Sequence, residues 1–155
     1  RSAFVVLDTA PTGHSMQLMD ATGAYHRQMT REFEGLGAAR VVTPLMRLQD
    51  PAYTKIILVT LPEVTPVSQA AALQDDLRRA HSEPYAWVLN KSVLAAGTHD
   101  PLLRARLAGE RKQIERMSAG LVQSPQRLYA LPWLSVPPIG LAELSKLVRP
   151  QATAI

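Results

Sequence analysis

Four short apolar runs, set apart by helical patterns and ended by polar or proline residues, constrain this chain more than any other feature. The clearest is Lys55-Ile56-Ile57-Leu58-Val59-Thr60. A continuous β-branched run of that length reads as a strand covered on both faces, as in a parallel sheet. Further runs predict strands over 3–7, ending at Asp8, over 85–89, ending at Asn90, and over 128–131, stopped by Pro132. Helical periodicity fills the intervals. One helix is expected from about His14 to Leu36, with Met16, Met19, Met29 and Phe33 as core positions, and a short one over 44–49. Another spans 66–80, with Thr65 as its cap and Pro66 in its first position. A charged amphipathic helix over 101–120 opens at Asp100-Pro101, and a terminal helix covers 140–148. Alternation with short connections predicts an α/β fold, a mostly parallel sheet flanked by helices through right-handed crossovers.

Composition narrows the classes further. The 155 residues suit one domain, and 46% hydrophobic with 19% charged residues excludes wholesale disorder. A net charge of +4 is carried by dispersed residues such as Arg78, Arg104, Arg106, Arg111, Lys112 and Arg116. They read as solvated helix faces, so no nucleic-acid partner is expected. A phosphate ligand would explain the mild excess equally well. There is no cysteine, which excludes disulfides and thiolate zinc within the chain. No apolar run reaches the ~20 residues of a membrane span, and a cytoplasmic location is expected. Residue 1 stands directly before a core strand, so the chain is expected to be a piece of a longer protein.

In an open parallel sheet, ligands bind beyond the C-terminal ends of the strands. Read in order, those ends carry Asp8-Thr9, Thr60-Leu61-Pro62-Glu63, Asn90-Lys91-Ser92 and Pro132. A carboxylate, a hydroxyl, an amide and a proline on one edge suggest a Mg-nucleotide. Asp8 can hold a magnesium-bound water, and Thr9 with the turn amides can sense a γ-phosphate, so that residues 9–14 would move on hydrolysis. Asp8 can equally cap the adjoining turn. Asn90 offers one acceptor and two donors to a purine edge. His14 is a candidate ligand for a soft or borderline metal, or a packed residue. His26, His81 and His99 have no partner at metal spacing. The phosphate loop G-x-x-x-x-G-K-[ST] is absent, so this chain alone is not expected to hydrolyse ATP.

The string Asp8-Thr9-Ala10-Pro11-Thr12-Gly13-His14, continuing through Asp20-Ala21-Thr22-Gly23-Ala24-Tyr25-His26-Arg27, closely resembles the signature of the arsenite-pump ATPases. Leu48-Gln49-Asp50-Pro51, Val59 through Val67, Asn90-Lys91-Ser92 and Pro101 through Arg106 fit the same family in order. The resemblance looks closest to the C-terminal part of the second nucleotide-binding half. It implies a deviant P-loop NTPase of three α/β/α layers, here without the P-loop strand, with residues 1–150 as part of one ATPase domain and 151–155 as a tail.

By that resemblance, the intact protein would be an arsenite-stimulated ATPase that uses ATP and Mg2+ to drive arsenite or antimonite export. Asp8 and Thr9 would form the magnesium and γ-phosphate switch, Asn90, Pro132 and Glu63 would bind nucleotide, and His14 would lie near the metalloid. Residues 8–14 would couple the two sites, with thiolate ligands supplied upstream. The implied partners are a membrane arsenite pump subunit at the inner face of the membrane, a metallochaperone, and a second nucleotide-binding half or a second copy. Two readings stand beside this one: a tail-anchored-protein targeting ATPase of the same superfamily, and a nucleotide-dependent binding module without transport. In relatives the phosphate-loop strand separates the strand ending at Asp8 from that ending at Thr60. The gap is therefore expected to close by collapse of these strands, by exchange with another copy, or within a longer chain.

Overall fold

The computed structural model describes residues 4–9, 42–121, 127–148 and 153–154. Helix α1 (Pro44–Gln49) begins where the Thr43 hydroxyl accepts from the Met46 amide at 3.3 Å and Pro44 takes the first turn. After it come β1 (Ile57–Thr60), α2 (Val64–Arg79), β2 (Ala86–Ser92), α3 (Val93–Ala96), α4 (Pro101–Leu121), β3 (Arg127–Pro132), α5 (Gly140–Val148) and β4 (Thr153–Ala154). The sheet order is β1-β2-β3-β4. β1, β2 and β3 run parallel, and the short β4 joins β3 antiparallel. The expected α/β architecture of parallel strands and flanking helices is present.

Strand register explains where the core lies. Leu58 pairs with Trp87 and Trp87 with Leu128, while Thr60 pairs with Leu89 and Leu89 with Ala130. Because side chains alternate between faces, these two rows share one side of the sheet. Val67, Ala70 and Leu77 from α2 and Ile114 and Met117 from α4 close over them. Leu89 is fully buried at the centre. At the edge of this layer, the buried Trp87 indole donates to Gln74 Oε1 at 2.6 Å.

The structure departs from expectation at two places, and one further expectation is untested. Among the described residues nothing covers the second face of the run 55–60, and Ile57 and Val59 are 52% and 62% exposed on the side away from α2. The helix expected over 14–36 falls outside the described residues. Residues 4–9 form no strand, and Phe4, Val5, Val6 and Leu7 are each at least 77% exposed. An apolar run becomes a strand only beside an edge that pairs with it, and among the described residues neither this run nor the outer edge of β1 has such a neighbour. Collapse of the two is therefore not how the sheet ends here.

Element boundaries also shift. α2 starts at Val64, with Glu63 rather than Thr65 in the cap position, and Pro66 fits inside the first turn because no donor is needed there. β2 runs on to Ser92, past Asn90. Pro132 does not stop β3 but pairs with Ser92 as its last residue. The pairing passes from Leu89↔Ala130 to Ser92↔Pro132, so β2 carries one extra residue. This bulge places Asn90 and Lys91 at the strand end, with Lys91 in the left-handed region at φ 55.

The two-faced character of β1 can be measured. In this chain Leu58→Ala is expected to cost about 2–5 kcal/mol, because it opens a cavity under α2. Val59→Ala should cost under about 1 kcal/mol, because that side chain is already mostly in water. Urea denaturation of both variants checks the difference, and equal losses would mean that the faces are assigned wrongly.

Candidate functional site

At the C-terminal ends of the parallel strands lies a cleft of about 170 Å³ lined by Leu61, Pro62, Glu63, Lys91, Val93, Arg106, Glu110 and Trp133. Each part of the sheet edge contributes. The β1–α2 turn supplies Leu61 to Glu63, the β2 bulge Lys91, the segment after β3 Trp133, and one face of α4 both Arg106 and Glu110. Those two helical residues are four apart, so they fall on the same face, one turn from each other.

The mouth of the cleft is held by an exposed cluster. Arg106 Nη2 donates to Glu63 Oε1 at 3.0 Å, and the Arg106 guanidinium lies 5.2 Å from the centre of the Trp133 ring. Glu63 makes no side-chain cap on α2 because its carboxylate turns to Arg106 instead. Both partners are about half exposed, so the ion pair adds at most about 1 kcal/mol and orders the side chains more than it stabilises the fold. The cation–π contact adds roughly 0.5–1 kcal/mol at such a site.

The floor is rigid where the mouth is not. Glu110 is 2% exposed, and its carboxylate accepts from the Ser92 hydroxyl, from Val93 N at 2.9 Å and from Leu94 N at 3.3 Å. It thus satisfies amides at the start of α3 that no helical carbonyl reaches. Ser92 Oγ also accepts from Ala95 N at 2.9 Å. The Ser92 carbonyl receives Trp133 N at 3.0 Å, tying β2 to the segment after β3. Asn90 Oδ1 accepts from Lys91 N at 3.0 Å, which closes the bulge on itself. Among the described residues the Lys91 ammonium makes no ion pair, so it is a free cation at the cleft wall.

Of the residues singled out in the sequence, Glu63 lines the cleft, and Asn90 and Pro132 adjoin it through Lys91 and Trp133. Asp8 and Thr9 are exposed in the segment 4–9, which forms no strand, and do not line it. His14 lies outside the described residues. Arg106, taken for part of a solvated face, belongs to the cleft mouth, and Glu110 and Trp133 carried no reading at all. The signal for the helical pair was their four-residue spacing behind Pro101. Among the described residues no three His, Asp or Glu side chains converge to hold a metal. No described helix is long and apolar enough to cross a membrane.

No protein-family model matches the chain. Two proteins of Escherichia coli called arsenical pump-driving ATPase are each 48% identical to it, over 145 and 144 residues, or 94% and 93% of this chain. One of Acidiphilium multivorum with the same name is 47% identical over 145 residues, or 94% of this chain. The chain spans 24% of the length of each of these relatives. Identity at this level, sustained over nearly the whole chain, matches the resemblance carried by Asp8 through Arg27 and the motifs after it: the chain belongs to the arsenical pump-driving ATPase family.

Proposed function

We propose that this cleft receives the adenosine end of ATP in a longer ATPase that drives arsenite or antimonite export through a membrane pump. The observation that carries the reading is its position. A cleft at the C-terminal ends of three parallel strands, flanked by Asn90 and Pro132, occurs in a chain 47–48% identical to proteins called arsenical pump-driving ATPase. At about 170 Å³ it is smaller than the roughly 300–1,000 Å³ of most ligand pockets, so it suits one end of a nucleotide.

The chemistry divides by residue. The half-exposed Trp133 ring offers a flat surface on which a base can stack. Among the described residues Asn90 keeps both amide hydrogens for a purine edge, since its oxygen alone is used, by Lys91 N. Lys91 supplies a cation for the sugar-phosphate side. Arg106 and Glu63 neutralise each other at the mouth and would part to admit the ligand. Magnesium is a different matter. Asp8 is one exposed carboxylate with no convergent partner among the described residues, and these residues by themselves do not build a magnesium site. The ion would come with the phosphates and their water, and no step here runs through it.

Residues 8–14 would couple nucleotide state to the metalloid, with His14 beside it and sulfur ligands from elsewhere in the protein. Partners in this reading are the pump subunit at the inner face of the membrane, a metallochaperone, and a second nucleotide-binding half or a second copy.

Two measurements test it. In the intact protein, ATP hydrolysis should rise when arsenite or antimonite is added; hydrolysis indifferent to both, together with binding of hydrophobic tail peptides, would favour a targeting ATPase instead. Trp133→Ala should weaken Mg-ATP binding by roughly ten- to a hundredfold, the scale of one base-stacking contact, whereas Trp133→Phe should keep most of the affinity. Calorimetry on the intact protein reads both, and unchanged affinity in Trp133→Ala would remove the stacking surface from the site.

A further inference from the structure

The β2 bulge is held in a conformation that its own sequence does not favour. Lys91 is neither glycine nor asparagine, yet its φ is 55. Such a residue persists only where the surroundings over-determine it. The restraints all meet at Ser92, which is fully buried. Its hydroxyl donates to Glu110 and accepts from Ala95 N, and its carbonyl takes Trp133 N. Glu110 in turn accepts from Val93 N and Leu94 N. One carboxylate, reaching across from the middle of α4, therefore fixes both the first turn of α3, next to the bulge, and, through Ser92, the backbone that carries Trp133.

We infer that Glu110 is a positioning residue for purine recognition: through Ser92 it locks the bulge that carries Asn90 and sets Lys91 in the cleft with Trp133, and so determines which base the cleft accepts. This rests on the nucleotide reading above and deepens it. The role requires no contact between Glu110 and ligand. A base stacked on Trp133 is read only if Asn90 stands at a fixed height beside it, and hydrogen-bond discrimination is lost when the reading group can shift. A carboxylate suits the task because it accepts at every site. Glutamine of the same size, with its oxygen kept on Val93 N and Leu94 N, would turn an NH2 toward the Ser92 hydroxyl, which then loses the acceptor for its own hydrogen.

The test compares Mg-ATP and Mg-GTP binding to the intact protein carrying wild-type Glu110, Glu110→Gln or Ser92→Ala, with thermal melting of each. Glu110→Gln should weaken ATP binding about tenfold while changing GTP binding much less, so the ATP/GTP preference narrows. Ser92→Ala, which removes only one of the restraints on Glu110, should narrow it in the same direction by a smaller factor. Should Glu110→Gln fail to fold, Ser92→Ala alone decides. A folded variant that retains the wild-type preference overturns the role, as does an equal loss for both nucleotides that tracks the drop in melting temperature, the mark of a merely structural group. If wild-type protein binds neither nucleotide, the nucleotide reading fails and this role with it; if it binds and the variants match it, the reading stands and only the role of Glu110 falls.

Discussion

A carboxylate withdrawn from water is stable only when its lone pairs are answered, and Glu110 finds its answer in the first amides of α3 and the hydroxyl of Ser92. That arrangement is what joins the helical layer to the working end of the sheet. α4 covers the core with Ile114 and Met117, and the two turns before them on the same helix deliver Glu110 to the β2 bulge and Arg106 to the cleft mouth. The helix that buries the sheet is thus also the helix that shapes its edge. Loss of packing beneath it would be felt at Asn90 and Trp133, with no change in either residue.

Much of this frame was legible in the residues. The runs around Ile57, Val88 and Tyr129 announce parallel strands because helical crossovers leave few other uses for such apolar stretches, and Pro44 with Asp50-Pro51 brackets α1. The positions at the strand ends came from the same logic. Other features depend on tertiary context that local pattern does not encode. The bulge at Asn90 exists because Ser92 is anchored to another element, and nothing in Asn90-Lys91-Ser92 predicts a left-handed lysine. Glu63 looked like an edge residue but takes the α2 cap position without capping, because Arg106, 43 residues later, competes for its carboxylate. Glu110 drew no reading within the charged helix, since burial of a carboxylate is decided by partners far away in sequence.

The failure of the first run to join the sheet is instructive in another way. Phe4 to Leu7 have strand composition, yet they stand exposed, just as Ile57 and Val59 do on β1. Strand propensity is mainly the fit of a side chain to a pleated, half-buried surface, and without that surface the preference has nothing to act on. The core under α2 and α4 needs no help from this segment, because its two rows of side chains are complete from Leu58 to Leu128 and from Thr60 to Ala130.

This separation bears on how the two ends of a nucleotide would be sensed. Lys91 N is held by the Asn90 side chain, Trp133 N by the carbonyl of the next residue, Ser92, and the Ser92 hydroxyl by Glu110, so the base end of the cleft has little freedom. Asp8 and Thr9 have no such ties among the described residues, and in the proposed reading they are the groups that answer to the γ-phosphate. A switch requires that division. Binding energy gathered at a rigid site does not depend on the state of the phosphates, whereas a segment without its own packing can take its position from whether the terminal phosphate is present.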